Sequence, residues 1–185
     1  MVCPNCGGPM RLEPARDFLT CDYCRSLHFP DPNADGVRVL GEPSEQQCPY
    51  CATPLTHASV AGRRLLYCER CRGLLVNMDV FMAVTEELRS RHPSSAYVGE
   101  QPDWSNLERK TLCPQCGRIM NTHGYAGPGN VIIDSCSECR VIWLDHGELQ
   151  RIFRAPDRRY AKPTALDESP ESSTESAKPA TWRKR

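Results

Sequence analysis

The stretch "CSECRVIWLDHGELQRI", residues 136–152, decides how the chain is read. It opens with Cys136 and Cys139, two residues apart, runs through the apolar triplet Ile142-Trp143-Leu144, and then changes period. From Leu144 the spacing is that of a helix start. Asp145 can serve as N-cap, Glu148 three residues on completes a capping box, and Leu144 and Leu149 stand at the staple positions on either side. The helix is predicted from Asp145 to Phe153 or a few residues beyond, ending near Pro156, with Leu149, Ile152 and Phe153 as its apolar face. A strand that leaves a cysteine pair thus feeds a helix able to fold back over it.

Outward from this stretch, every one of the 12 cysteines belongs to a CxxC: Cys3/Cys6, Cys21/Cys24, Cys48/Cys51, Cys68/Cys71, Cys113/Cys116 and Cys136/Cys139. The pairs form three doublets, with 14, 16 and 19 residues between their knuckles. The doublets repeat beyond the cysteines, which marks them as structural units. Each first knuckle reads CPxC and is followed by a small residue, Gly7, Ala52 or Gly117, and then by Met10, Leu55 or Met120. Each second knuckle follows an apolar approach and is followed by an arginine, Arg25, Arg72 or Arg140. An apolar triplet comes next: Leu27-His28-Phe29, Leu74-Leu75-Val76 and Ile142-Trp143-Leu144, the first weakened by its histidine.

Two thiolates separated by two residues converge on one ion when the backbone turns sharply between them, and CxxC, a gap of about 15 to 20 residues, CxxC is the form of a four-cysteine zinc site. A strand, a turn and a returning strand fill the gap, which makes each doublet a zinc ribbon. The metal ligands are expected to be Cys3, Cys6, Cys21 and Cys24; Cys48, Cys51, Cys68 and Cys71; and Cys113, Cys116, Cys136 and Cys139, with three Zn2+ ions per chain. Iron in a rubredoxin-like tetrathiolate is chemically allowed, but electron transfer would hardly require three such sites.

Composition agrees that metal rather than core size holds the fold. The chain has 185 residues, of which 39 % are hydrophobic and 7 % aromatic, and its 16 prolines accompany a mean hydropathy of −0.53. Units of about 30 residues bury too little to offset their ordering entropy, so zinc must supply folding energy, on the order of 10 kcal/mol per site. The expected fold class is a small metal-stabilised α+β protein: three four-cysteine zinc ribbons, each a β-hairpin with knuckles, the second and third followed by a helix, and a disordered C-terminal tail. Its divisions are an N-terminal ribbon at 1–29, a linker at 30–47 with a possible short strand at 37–40, and a second ribbon plus helix at 48–91. A linker at 92–112, a third ribbon plus short helix at 113–155 and a disordered tail at 156–185 complete it.

The second helix, with Asn77 as cap and Val80, Phe81, Val84 and Leu88 as its stripe, is expected to reach Arg91. The simplest expectation is that it covers its own ribbon, although its stripe is long enough to reach another repeat. In the second linker, "PDWSNLERK" is expected to form a helical turn with Asp103 as cap and Trp104 packed.

At these residues the chain resembles a known family, the transcription factor IIB type zinc ribbons. The likeness rests on "CPQCG" to "CSECRVIWLDHGELQRI", with its WLDxGEL segment, and more loosely on "CPYC" to "CERCRGLLVNMDVFMAV", so two copies are expected. Val141 stands where the family usually has glycine, and Leu75 where it has tryptophan. The resemblance implies zinc binding by the eight cysteines of these two repeats and little more about function; residues 1–29 resemble only a generic ribbon.

Four-cysteine sites are closed, and no cysteine is left over as a nucleophile, so an enzyme is not expected. His28, His57, His92, His123 and His146 show no ligand spacing. The 23 Lys+Arg balance 23 Asp+Glu, and four thiolates around one Zn2+ leave two net negative charges per site, six over three sites. That balance speaks against strong nucleic-acid binding, although Arg151, Arg154, Arg158 and Arg159 form a local basic strip. The knuckle arginines Arg25, Arg70, Arg72 and Arg140 are expected to offset thiolate charge. The expected role is a protein-interaction or regulatory adaptor whose partner is another protein, with nucleic-acid binding and thiol/zinc redox sensing as alternatives. No stretch reaches the roughly 18 apolar residues that span a bilayer, and "MVCPNC" has no leader pattern, so no membrane and a cytoplasmic location are expected.

Overall fold

A computed structural model of the protein describes residues 1–92, 104–127 and 129–155; the tail expected at 156–185 lies outside them. Among the described residues, ten strands and two helices build a small α+β structure. In the first ribbon β1 (Met10–Leu12), β2 (Leu19–Cys21) and β3 (Leu27–His28) form a sheet of their own, in that order. The second ribbon holds β5 (Pro54–Val60), β6 (Arg63–Tyr67) and β7 (Leu74–Asn77), followed by α1 (Met78–Arg91). In the third, β8 (Asn121–Gly124), β9 (Ile132–Cys136) and β10 (Val141–Leu144) are followed by α2 (Glu148–Arg154).

The second and third ribbons are one sheet. β7 pairs antiparallel with β10, giving seven strands in the order β4-β5-β6-β7-β10-β9-β8, with β4 being Arg38–Gln47. The register at this seam places Leu75 opposite Trp143, Val76 opposite Ile142 and Leu74 opposite Leu144. Leu75 and Trp143 are the middle residues of their triplets, so the two ribbons meet as a pseudo-twofold pair. β4 corrects the reading of 30–47 as a linker. Residues 38–47 form the outer strand, bonded to β5 through register shifts near Pro43. Their sequence, with a glycine, a proline and two acids, lacks the alternation of a half-buried strand.

Period two at the seam sorts the triplets onto two faces. Leu74, Val76, Ile142 and Leu144 turn to one side, where Phe81 and Val84 of α1 and Leu149, Ile152 and Phe153 of α2 close a core over both ribbons. α1 therefore packs on α2 and on strands of both ribbons, overturning the simpler expectation that it covers its own. Leu75 and Trp143 turn to the other side, with Leu55, Met120 and buried cysteines of both sites.

The two helices start differently. Asn77 caps α1, its Oδ1 accepting from the Asp79 amide at 3.0 Å, as the sequence implies. α2 begins three residues later than expected, after Gly147 in the left-handed region (φ 83). Half of the capping box forms, since Glu148 Oε2 accepts from the Asp145 amide at 2.7 Å. The Asp145 carboxylate does not cap; it accepts from the Trp143 indole Nε1 at 2.9 Å and from Arg109. Residues Trp104–Glu108 form a 3-10 turn as expected, but Trp104 is 63 % exposed rather than packed, and Asp103 lies outside the described residues.

Candidate metal centres

Five of the six CxxC segments, all but Cys136/Cys139, close with the same backbone hydrogen bonds. The amide after the second cysteine donates back to the carbonyl of the first: Gly7 to Cys3 at 2.9 Å, Ala52 to Cys48 at 3.0 Å, Arg72 to Cys68 at 2.7 Å. The first cysteine's own amide donates to a carbonyl five residues on, as from Cys113 to Arg118 at 2.8 Å. This closure puts the residue after the knuckle in the left-handed region. Gly7 and Gly117 adopt it freely, whereas Ala52, Arg25, Arg72 and Arg140 adopt it with φ between 52° and 63° and some strain.

The knuckles bring the 12 cysteines into the three predicted groups of four, with the sulfurs of each group within 4.8 Å of one another. The Sγ···Sγ distances are 3.5 Å for Cys6–Cys21, 3.6 Å for Cys48–Cys71, and 3.7 Å for both Cys3–Cys24 and Cys116–Cys136. A tetrahedron with Zn–S bonds of about 2.3 Å has edges of about 3.8 Å, so the four sulfurs of a group are spaced for one Zn2+. These are three zinc sites. Without metal, neighbouring sulfurs hold protons for one another. The Cys139 thiol is pushed up to about 12, mainly by its hydrogen bond to Cys116, whereas Cys116 is drawn down to about 7 by the Arg118 amide. Zinc must displace such protons, so its affinity falls as pH falls.

The three sites are cushioned unequally. In the second, Cys48 and Cys68 are buried and Cys51 and Cys71 half-buried; in the first, Cys6 and Cys24 are exposed. Sites two and three share one apolar cluster, which the seam closes over Trp143. A Cβ on Gly73 would run into that indole, lying 2.9 Å from Cη2 and 3.0 Å from Cε2. Trp143 sits against Gly73, while at the pseudo-equivalent places Leu75 and Val141 lie in the same cluster. The large and small partners are traded across the seam.

A buried polar network that the sequence did not disclose joins the first knuckle of the second ribbon to the third ribbon. Asp134, fully buried on β9, accepts from Thr111 Oγ1 at 2.8 Å and from Thr122, and pairs with Arg109 at 3.0 Å. Thr111 shares a 2.7 Å hydrogen bond with the Tyr50 hydroxyl, and the Tyr50 ring packs on Trp143 with centroids 5.9 Å apart. Tyr50 is half-exposed; burial still pushes its hydroxyl up to about 12. The only signal was an aspartate inside the apolar "VIIDSC", a position where a buried charge needs a cation.

Of the knuckle arginines, Arg72 and Arg140 find carboxylates rather than thiolates. Arg140 Nη2 reaches Asp79 Oδ1 at 2.9 Å across the seam, and its carbonyl accepts from the Met78 amide at 2.8 Å. Arg72 Nε donates to Asp35 Oδ2 at 2.7 Å, and His146 Nε2 lies 3.2 Å from Asp35 Oδ1. Burial works against ionisation of Asp35, yet Arg72 and His146 hold its carboxyl below the ordinary range. Of the expected basic strip, Arg151 donates to the Asn130 carbonyl at 3.0 Å and Arg154 lies over the Phe153 ring, while Arg158 and Arg159 fall outside the described residues.

Residues 112–155, the third ribbon with its helix, match the family described as transcription factor zinc-finger. No curated protein and no solved structure matches the chain. Among the described residues no helix is long and apolar enough to cross a membrane.

Proposed function

We propose that the protein is a non-enzymatic adaptor in which three structural zinc ions fix small, rigid surfaces for another protein, and that the second ribbon is a further copy of the family matched by the third. Closed tetrathiolate sites leave no position for a substrate. The observation that carries the reading is what the ribbons display beside the metal. Leu112 and Ile119, paired across the first knuckle of the third ribbon, are 52 % and 63 % exposed, and on the first ribbon Val2 and Tyr23 are more exposed still. Exposed apolar side chains at the tips of metal-held turns are surfaces for recognition rather than core. The test is affinity capture from the native cell with the zinc-loaded chain and with a Leu112→Glu/Ile119→Glu variant that keeps three zinc ions. The reading requires a specific protein recovered with the first and lost with the second.

Nucleic-acid binding is the second reading, favoured by the family's description as a transcription factor. The tetrathiolate charge and the engagement of Arg151 with its own chain weigh against it. Salt-sensitive retention on an oligonucleotide column at low ionic strength would reverse this order. Exposure of Cys6 and Cys24 favours thiol/zinc redox sensing at the first site, which peroxide-driven loss of one zinc with regain on reduction would establish.

A further inference from the structure

Three strands in this chain follow a second knuckle, and the structure completes two of them. β7 and β10 each bond to their own ribbon on one edge and to one another on the second. β3 bonds to β2 through Thr20–Leu27 and Leu19–His28, and among the described residues its second edge meets no strand. The side chains show the same vacancy. Leu74 and Ile142 are buried, whereas their counterpart Leu27 is 55 % exposed; Val76 and Leu144 are buried, whereas Phe29 is 47 % exposed. No helix follows β3, because Pro30 comes directly after Phe29, so both the edge and its apolar face stand open. The outer edge of β4, by contrast, carries Pro43 and two register shifts, devices that block further pairing.

We propose that β3 is an interface for a second copy of this chain. The two β3 strands would run antiparallel about a twofold axis at His28, repeating between molecules the seam that β7 and β10 make within one. The internal seam fixes the register, because there the middle residues of the triplets face each other and each outer residue faces the opposite outer residue of its mate. Carried to β3, this sets His28 against His28, and Leu27 of each copy against Phe29 of the other. Four apolar side chains then close on one another, with Phe18, whose ring centroid is 5.2 Å from that of Phe29, behind them.

The charges fit the same register. Three residues before the axis stands Arg25, and three after it Asp31, so each arginine falls opposite the aspartate of the other copy. Both are exposed, and neither has an ion-pair partner in its own chain among the described residues. The internal seam has the counterpart of this contact, in which the knuckle arginine Arg140 crosses to Asp79 beyond the end of the facing strand. An interface that pairs equivalent residues is self-complementary and closes as a dimer. With only about three residues per strand it is a weak, concentration-dependent one.

The experiment is sedimentation equilibrium or light scattering on the zinc-loaded full chain over a wide concentration range. The mass is expected to rise from the 20.8 kDa of one chain towards twice that value. Because position 28 faces itself, His28→Asp and His28→Lys should each stay monomeric where the natural chain dimerises, and an equimolar mixture of the two should dimerise again. Phe29→Lys, which sets a charge against Leu27, should also be monomeric. A count of three zinc ions in every variant shows that the first ribbon is folded. A natural chain that keeps the mass of one chain at every concentration overturns the proposal. So does a dimer that survives both His28→Asp and Phe29→Lys, or a mixture that fails to restore what the single variants lose.

Discussion

Replacing Gly73 by alanine tests the seam where it is tightest. The backbone at Gly73 lies outside the left-handed region, so on conformational entropy alone Gly73→Ala would stabilise the chain by about 0.4–1 kcal/mol. Packing reverses the sign. The new methyl would stand within 3.0 Å of several atoms of the Trp143 indole, which is fully buried between two zinc sites and has no space to retreat into. Contacts of this kind cost about 1–3 kcal/mol by displacing side chains and backbone in a close-packed core. A net loss of about 2 kcal/mol is expected. Gly73 belongs to the second ribbon and Trp143 to the third, so the loss comes from their union. Trp143→Leu, which copies the Leu75 side of the seam, removes the ring and is itself destabilising by about 3 kcal/mol. In that background Gly73→Ala should be neutral or slightly stabilising, a coupling of about 2 kcal/mol between positions 70 residues apart in sequence. Denaturant unfolding of zinc-saturated protein, followed by far-ultraviolet circular dichroism, measures all four corners of the cycle. If Gly73→Ala stabilises the natural chain, or costs the same in both backgrounds, the ribbons do not meet as described.

Three further outcomes are expected. Glu148 is buried, and desolvation raises its carboxyl from 4.5 to about 7, so the folded state holds its proton more tightly than the unfolded one. This group's contribution to stability is therefore greatest below pH 4.5 and is lost as pH rises to about 7, on the order of 3 kcal/mol in all. Glu148→Gln should remove that part of the slope; parallel pH profiles for the two proteins would count against the assignment. Arg109→Met leaves the fully buried Asp134 without its cation and should cost about 3–5 kcal/mol in urea unfolding, with part of the loss recovered by adding Asp134→Asn. Under a zinc chelator, native mass spectrometry should show the three-zinc protein losing one ion first, from the exposed first site. The other two should leave together because their cysteines share one cluster; a long-lived one-zinc species would contradict this.

How far the sequence led depended on the range of each interaction. The knuckles were legible because their geometry closes within six residues, so CxxC and the small residue after it carry the whole instruction. Asn77 was legible as a cap for the same reason. Asp145 misled, since an aspartate before an apolar run also caps in isolation; here Trp143 and Arg109 claim its carboxylate, and Arg109 lies far outside the local window. β4 was hidden because an edge strand with Gly41 and Pro43 is paired by its neighbour rather than by its own pattern. The seam left a trace only in hindsight. Gly73 with Leu75 and Val141 with Trp143 look unrelated when each repeat is read alone, and like complementary shapes when the two are opposed.

The strand pairing at the seam also changes what the intervening chain must do. Backbone hydrogen bonds, a common helical roof and the Arg140–Asp79 bridge join the halves directly, in addition to the peptide that runs from one to the other. A protease cut anywhere in 93–103 should thus yield two fragments that migrate together until denatured.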